Sequence, residues 1–528
     1  MRIILQVSTL GHKTYHSLAK RIKEIYPESH FSIPGGSKMV LEFFQNQDDI
    51  KYEIFETAWR STNQILTEKD VIDYEELNKI EHFLSSKSLW LSISGDRGIG
   101  RAFLSGAIGY ENYRSFDRET ILRVCSKAIV RIRKHFERFK PDVFIPALAM
   151  GDVGVWLYEA ICREMGVLYL LPDFMRVSNY VGFSSSPEIE FPRVKSYYNV
   201  LINGDSGLKG QRAEDLLDEL ITGLHEPDMN PRHNKMQFRN KGHREIYRFG
   251  FIPYSMLKFF YRIVVLLFKI LFKIEKIEKI SFVHVFRYLK YNVLRGFQRL
   301  RLTSKNFGTE AYLSKKYIYF PLPTQPEYTN NIMGVRWMNT TNLIETLAKN
   351  IPHDWVVYVK EHPGLLSDRI RPLRFHREID KLPNVFHAPL YTPSLEMISN
   401  AQMVAVVTGT AGWEAILLNK PVIEFRSNEW SMMGLSSKCT DIEKLSFVMH
   451  NELERMRNIS LSERMRRLLC YLEAVVENGF TITYPFVFSY GKKGTDEEHK
   501  VNGRELSDGL IKHLKYLQKE KGYSFGIH

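Results

Sequence analysis

Three short stretches in the second half of the chain combine residue types that can hold an anion, bind hydroxyl groups and move a proton. Lys360–Gly364 reads KEHPG and directly follows the apolar run WVVYV. Charged residues at such a half-buried position are costly unless they are paired or used. Pro363 restricts His362 to extended geometry, which aims the imidazole outward from the strand end. There His362 could hydrogen-bond a phosphate or give it a proton as it leaves; a solvated histidine in a surface turn is the competing reading. Val406–Phe425 reads VVTGTAGWEAILLNKPVIEF, in which an apolar strand ends in Thr408, Gly409, Thr410, Ala411 and Gly412 and feeds a helix. Small residues let backbone N–H groups approach a phosphate, and a helix N-terminus favours the anion. Glu414, expected in the first turn of that helix, offers a carboxylate for the two hydroxyls of a ribose. Pro321–Glu327 reads PLPTQPE, and its three prolines make a stiff loop that could present Gln325 and Glu327 in fixed positions. Alone the loop is a weak signal, and a structural turn is the competing reading.

The first half offers carboxylates. Two loops, SGDRG at Ser94–Gly98 and MGDVG at Met150–Gly154, each follow an apolar run that reads as a strand. Asp152, at a strand end just before a helix, could serve as general base or as nucleophile toward an anomeric carbon. It could equally cap the helix, a role worth about 1 kcal/mol. Asp96 is the weaker candidate for the same work. His12 and His16 have a spacing that could bind a metal, but no third ligand is evident, and they could instead line a cleft.

Such residues must be positioned by elements, and the chain alternates strand and helix signals on both sides of a middle segment. In residues 1–205, Ile3–Val7 reads as a buried strand, Tyr15–Ile25 as a helix, Leu89–Ser94 as an apolar run ending in a glycine-rich loop, and Arg118–Phe139 as a long amphipathic helix. Val143–Leu148 then reads as a strand, Val153–Met165 as a helix and Val167–Leu171 as the next strand. Residues 206–310 lack strand grammar and read as basic and helical. Residues 311–490 return to alternation, with strands at Tyr317–Phe320, Trp355–Lys360, Val385–His387, Met403–Thr408 and Pro421–Phe425, and helices at Thr341–Asn350, Pro393–Ile398 and Gly412–Leu418. Residues 491–528 close the chain with a helix over Leu506–Glu520. This is the grammar of doubly wound parallel sheets. The expected architecture is α/β and GT-B-like: two Rossmann-like domains facing a cleft, with a basic helical insertion between them.

Taken together, YIYFPLPTQPE, VYVKEHPG and VTGTAGWEAILLNKPVIEF, in that order, resemble the capsule polysaccharide biosynthesis family, whose members include β-Kdo transferases of bacterial surface glycans. Weaker similarity extends through PDVFIPALAMGDVGVWLYEA and FMRVSNYVGFSSS. The resemblance implies a GT-B fold, no metal or other cofactor, and often a CMP-activated 3-deoxy-ulosonic acid as donor. It implies that His362 and the Thr408–Gly412 loop hold the CMP phosphate, that Glu414 holds the nucleotide sugar, and that Lys360 meets the ulosonic carboxylate. The chain contains no DxD sequence, which argues against a metal-dependent GT-A enzyme.

Composition bounds the rest. With 528 residues, 44% hydrophobic and 25% charged, the chain is globular and long enough for two to four domains. The cysteines Cys125, Cys162, Cys439 and Cys470 form no CxxC or zinc spacing and suit a reducing compartment. The N-terminal apolar run is short, a first strand rather than a signal peptide, so a cytoplasmic location is expected. The net charge of +13 is concentrated between Arg232 and Lys305, where nine Lys and nine Arg face only Glu245, Glu275 and Glu278, a local +15. Within it, residues 255–280 are strongly apolar but carry Lys258, Arg262, Lys269, Lys273 and Lys276 inside a sector of about 60° on a helix. Cations through its centre exclude a transmembrane helix. The pattern fits a helix lying in the plane of an anionic membrane surface, or a core helix with one solvated stripe. The expected partners are therefore a nucleotide-sugar donor, a glycolipid or polysaccharide acceptor and the inner membrane face. Nucleic acid is not among them, for want of a motif or interleaved stacking aromatics. The competing functions are another GT-B-fold nucleotide-sugar enzyme such as a 2-epimerase, and a non-catalytic polysaccharide assembly protein.

Overall fold

Ile3, Ile4 and Leu5 are all fully buried, as a strand covered on both faces by helices requires. They belong to β1 (Arg2–Leu5), which with β2 (His30–Ile33), β3 (Tyr52–Ile54), β4 (Val143–Ile145) and β5 (Leu168–Tyr169) forms a sheet in the order β3-β2-β1-β4-β5. Every pair in it is parallel. The computed structural model describes residues 1–55, 66–67, 69–100, 103, 116–147, 151–204, 210–225, 314–325, 327–362, 371–390, 392–482 and 494–522, with a few isolated positions and runs of two or three between 260 and 308. Two units result: one from Met1–Gly98, Asp117–Glu214 and Met465–His528, the other from Ile99–Phe116 and Asp215–Arg464.

In the first unit, the helix His12–Ile25 buries Tyr15, Leu18, Ala19 and Ile22 in a core shared with Ile3 and Leu5. The helix Asp496–Lys521 adds Leu506, Leu510 and Leu514 to the same core. It is opened by a capping box between Thr495 and Glu498, and Thr14 and His499 join the two helices by a 2.7 Å hydrogen bond. The helix Arg118–Phe139 matches its expected bounds, with Asp117 capping it. The apolar run Val167–Leu171 divides between β5 and β6 (Leu171–Phe174). The latter forms an antiparallel three-stranded sheet with β7 (Tyr180–Ser184) and the strand Phe480–Thr481.

One expectation fails here. Leu89–Ser94, read as a strand, is a helix. Ser88 caps it by accepting from the Leu91 N–H at 3.2 Å, and Leu89 and Ile93, four apart, are both buried, which is helical rather than strand periodicity. The SGDRG loop therefore follows a helix.

The second unit is built on β8 (Lys316–Pro321), β9 (Trp355–Lys360), β10 (Val385–His387), β11 (Met403–Val406), β12 (Val422–Glu424) and β13 (Ser437–Lys438), in the order β10-β9-β8-β11-β12-β13. All its pairs are parallel. The chain winds outward from β8 to β10, returns to the other side of β8 with β11, and winds outward again. That reversal makes the carboxyl ends of β8 and β11 the topological switch point, where open α/β sheets bind ligands. Each half of the chain thus carries a Rossmann-like parallel sheet, the pair of folds of a GT-B-like α/β chain.

The four cysteines are free and buried. Of the basic middle segment, Gln211–His225 is a helix; Lys258, Arg262, Lys269, Lys273 and Lys276 lie outside the described residues. Among the described residues no helix is long and apolar enough to cross a membrane.

Candidate functional site

Three of the predicted loops leave neighbouring strands of the second sheet at the same edge. Pro321–Glu327 follows β8, Lys360–His362 follows β9, and Val407–Gly409 follows β11. Gly409 has φ +110°, a conformation that side-chain-bearing residues rarely adopt. Among the described residues nothing lies within 4 Å of the place where a Cβ would stand. The helix that follows begins at Thr410, two residues earlier than expected, and among the described residues no side chain caps it. Its first-turn N–H groups belong to Thr410, Ala411 and Gly412, the residues of the glycine-rich turn itself. Gly412 is required by packing: a Cβ there would come within 2.9 Å of both Trp430 and Val406. With the helix starting at Thr410, Glu414 falls at the start of the second turn, a correction to its expected first-turn position; no acid stands in the first turn.

Lys360, the last residue of β9, is only 6% exposed. Burial lowers its pKa to about 8, and the neighbouring carboxylates Glu361 and Glu414 oppose that shift. Lys360 and Glu414 are therefore brought close enough to feel each other's charge. Glu414 also contributes to the raised pKa of Tyr319, which is chiefly a consequence of burial.

The glutamate of the KEHP sequence has a different task. Glu361 is 2% exposed and ion-paired with the buried Arg371, which also donates to the Pro323 carbonyl. This pair fastens the β9 loop to the β8 loop. His376, fully buried 3.4 Å from Glu361, has its pKa lowered to about 2, mainly by burial and secondarily by His387, so it stands there as a neutral ring. His362, the next residue after Glu361, is half-buried; Pro363 and Gly364 lie outside the described residues.

Gln325 is 2% exposed, with its amide N–H donating to the Met338 carbonyl at 3.0 Å; among the described residues its side-chain oxygen has no hydrogen-bond partner. Glu327 is half-buried and its carbonyl accepts from Asn331 at 2.8 Å. A turn of π-helix, Thr329–Met333, follows, closed by the Gly334 N–H donating to the Thr329 carbonyl at 3.0 Å, a form that recurs at functional sites. Within it, Asn330 accepts from Thr408 at 2.6 Å and donates to the Thr324 carbonyl at 2.9 Å. Neither Asn330 nor Arg371 was singled out from sequence. The adjacent pair Asn330-Asn331 inside the apolar surroundings of Ile332 and Met333 was the one available signal; Arg371 offered none.

In the first unit Asp152 is partly exposed and one of its carboxylate oxygens accepts from the Gly154 N–H at 3.0 Å. It thus serves the start of the helix Gly154–Met165, whose cap position is Val153. Asp96 is fully buried and accepts from the N–H groups of Gly98 at 2.6 Å and Val153 at 2.7 Å. It clasps the SGDRG and MGDVG loops together, a structural use of a carboxylate. Met150 lies outside the described residues. His12 and His16 pack their rings against Phe43 at 4.6 and 5.6 Å, and His16 also meets Tyr52 and Asp49. Among the described residues no group of three or more His, Cys, Asp or Glu could hold a metal ion.

Residues 289–472 match the family model of the capsule polysaccharide biosynthesis protein, a stretch that contains all three loops of this site. The resemblance drawn on those loops is borne out over that stretch. No curated protein sequence matches the chain. Among solved structures, the chain is similar to the KpsC β-Kdo 2,4 transferase of Thermosulfurimonas dismutans, with 14% identity over 66% of this chain and 84% of that one and a TM-score of 0.30. It is also similar to the S. aureus MnaA–UDP co-structure, with 11% identity over 99% and 98% of the two chains and a TM-score of 0.26. A third likeness is to the Methanocaldococcus jannaschii UDP-GlcNAc 2-epimerase in complex with UDP-GlcNAc and UDP, with 11% identity, coverage of 98% and 100%, and a TM-score of 0.25.

Proposed function

We propose that this chain, whose residues 289–472 match the capsule polysaccharide biosynthesis family, is a glycosyltransferase that takes a sugar from a nucleotide donor. The donor of this reading is a CMP-linked ulosonic acid of the Kdo kind, and the acceptor is a glycolipid or growing surface polysaccharide. The observation that carries it is the uncapped helix beginning at Thr410 behind Gly409, at the switch point of a parallel sheet. Its first-turn N–H groups and the positive end of its dipole suit a phosphate. Lys360 adds a buried cation, and Glu414 a carboxylate for ribose hydroxyls. In this reading the phosphate charge is met by protein groups, and neither a metal nor another cofactor is required.

As the bond from the anomeric carbon to phosphate breaks, the phosphate leaves with its electron pair and His362 gives it a proton. Asp152 is the proposed carboxylate of the first unit, acting either as base toward the acceptor hydroxyl or as nucleophile at the anomeric carbon. In a transfer assay with CMP-Kdo and a lipid-linked acceptor, His362→Ala is expected to abolish transfer while the protein still melts cooperatively. Asp152→Asn should stop turnover without weakening CMP binding, and a chelator should leave wild-type transfer intact. Full activity of either variant removes that residue from the mechanism.

The basic apolar segment 255–280 supports docking at an anionic inner-membrane surface, which also suits a lipid-linked acceptor. Replacing Lys258, Arg262, Lys269 and Lys273 together by Gln is expected to reduce co-sedimentation with phosphatidylglycerol vesicles. Unchanged sedimentation would refute the docking.

A further inference from the structure

The loop after β8 is pinned at successive residues from two other loops. The Pro323 carbonyl accepts from Arg371, and the Thr324 carbonyl accepts from the Asn330 side chain at 2.9 Å. Asn330 is 4% exposed, and its amide has one possible orientation. A carbonyl only accepts, so the NH2 group must face Thr324 and the oxygen must face Thr408. The Thr408 hydroxyl, 8% exposed and 2.6 Å from that oxygen, must then be the donor. Its single proton is committed to Asn330 and is not available to a phosphate.

We infer that Asn330 is a positioning residue of the donor site, holding Thr408 to Thr324 across the switch point and so setting the turn at Gly409 from which the phosphate-facing helix starts. Thr408 then acts through the loop rather than on the ligand, and the backbone N–H groups of Thr410 to Gly412 make the anion contact. This inference rests on the proposed nucleotide-sugar reading. It goes beyond it by assigning the geometry of the turn to a side chain on the π-helical segment. Loss of the link frees the turn to move, and small displacements of a binding group are expensive in affinity.

The test is the dissociation constant for CMP, measured by calorimetric titration, together with the melting temperature. Thr408→Val has nearly the shape of threonine without the hydroxyl, and Thr408→Ser retains it. Thr408→Ser is expected to bind CMP within about twofold of wild type, whereas Thr408→Val and Asn330→Ala each weaken binding by about tenfold. The double variant should be no worse than the weaker single, because both remove the same link. A folded Thr408→Val protein that binds CMP as tightly as wild type overturns the inference, even if its melting temperature falls. A wild type that binds none of CMP, UDP and GDP overturns the nucleotide-sugar reading, and the inference with it. Should Asn330→Ala not fold, the valine and serine pair decides alone.

Discussion

Lys360 ends a strand whose other residues are apolar, and its charge is held in a site that disfavours it. Burial lowers its pKa to about 8, so it is a cation below that pH and becomes increasingly neutral above it. An anionic ligand beside it would be bound fully at lower pH, and the contribution would fade as pH rises through the folded-state value. Wild-type affinity for CMP is therefore expected to fall between about pH 7 and about pH 9, by up to roughly tenfold per unit beyond the pKa. Lys360→Gln should bind more weakly at the low end and show a flat profile. A flat wild-type profile would separate Lys360 from the anion. Of the candidate residues, His362, Gln325, Glu414 and the Thr408–Gly412 turn were singled out by type and spacing, because polar residues after an apolar strand are anomalous in themselves. Arg371 and Asn330 were not. Their significance comes from contacts with other segments: Arg371 with Pro323, 48 residues away, and Asn330 with Thr408, 78 residues away. Separation of this kind explains why Asp96, read as a loop carboxylate with possible chemistry, turns out to accept from Val153.

At the scale of elements, the strands of the second sheet were readable because buried parallel strands are continuous apolar runs; Trp355–Lys360 and Val385–His387 agree with their expected bounds. Errors arose where local cues were ambiguous. Leu89–Ser94 is short and apolar, which periodicity alone leaves open between strand and helix, and the Ser88 cap decides it. The helix after β11 starts at Thr410 rather than Gly412. Gly409, at φ +110°, turns the chain into the helix, and Gly412 lets the first turn lie against Trp430 and Val406. That shift suits the proposed anion site, since it turns the glycine-rich loop into the helix N-terminus itself. The π-helical turn Thr329–Met333 has no sequence signature that periodicity could reveal, yet it is what delivers Asn330 to Thr408.

For the whole molecule, two parallel α/β units were legible from the alternation of strand and helix signals. The return of Met465–His528 to the first unit was not. It depends on a helix face, Leu506, Leu510 and Leu514, meeting a core laid down some 490 residues earlier by Ile3, Leu5 and the helix His12–Ile25. The charge map belongs to this scale as well: a chain of net charge +13 whose excess lies in one segment calls for an explanation of that segment, and a membrane surface is the one proposed. In the proposed function, the switch point of the second sheet holds a cytidine nucleotide as the leaving part of a sugar donor. The most direct measurement is the melting temperature of the full chain with CMP, UDP or GDP at equal concentration. Binding to the native state alone raises it by mass action. The account predicts that CMP stabilises the protein most; a larger shift with UDP, or none with any of the three, would contradict it.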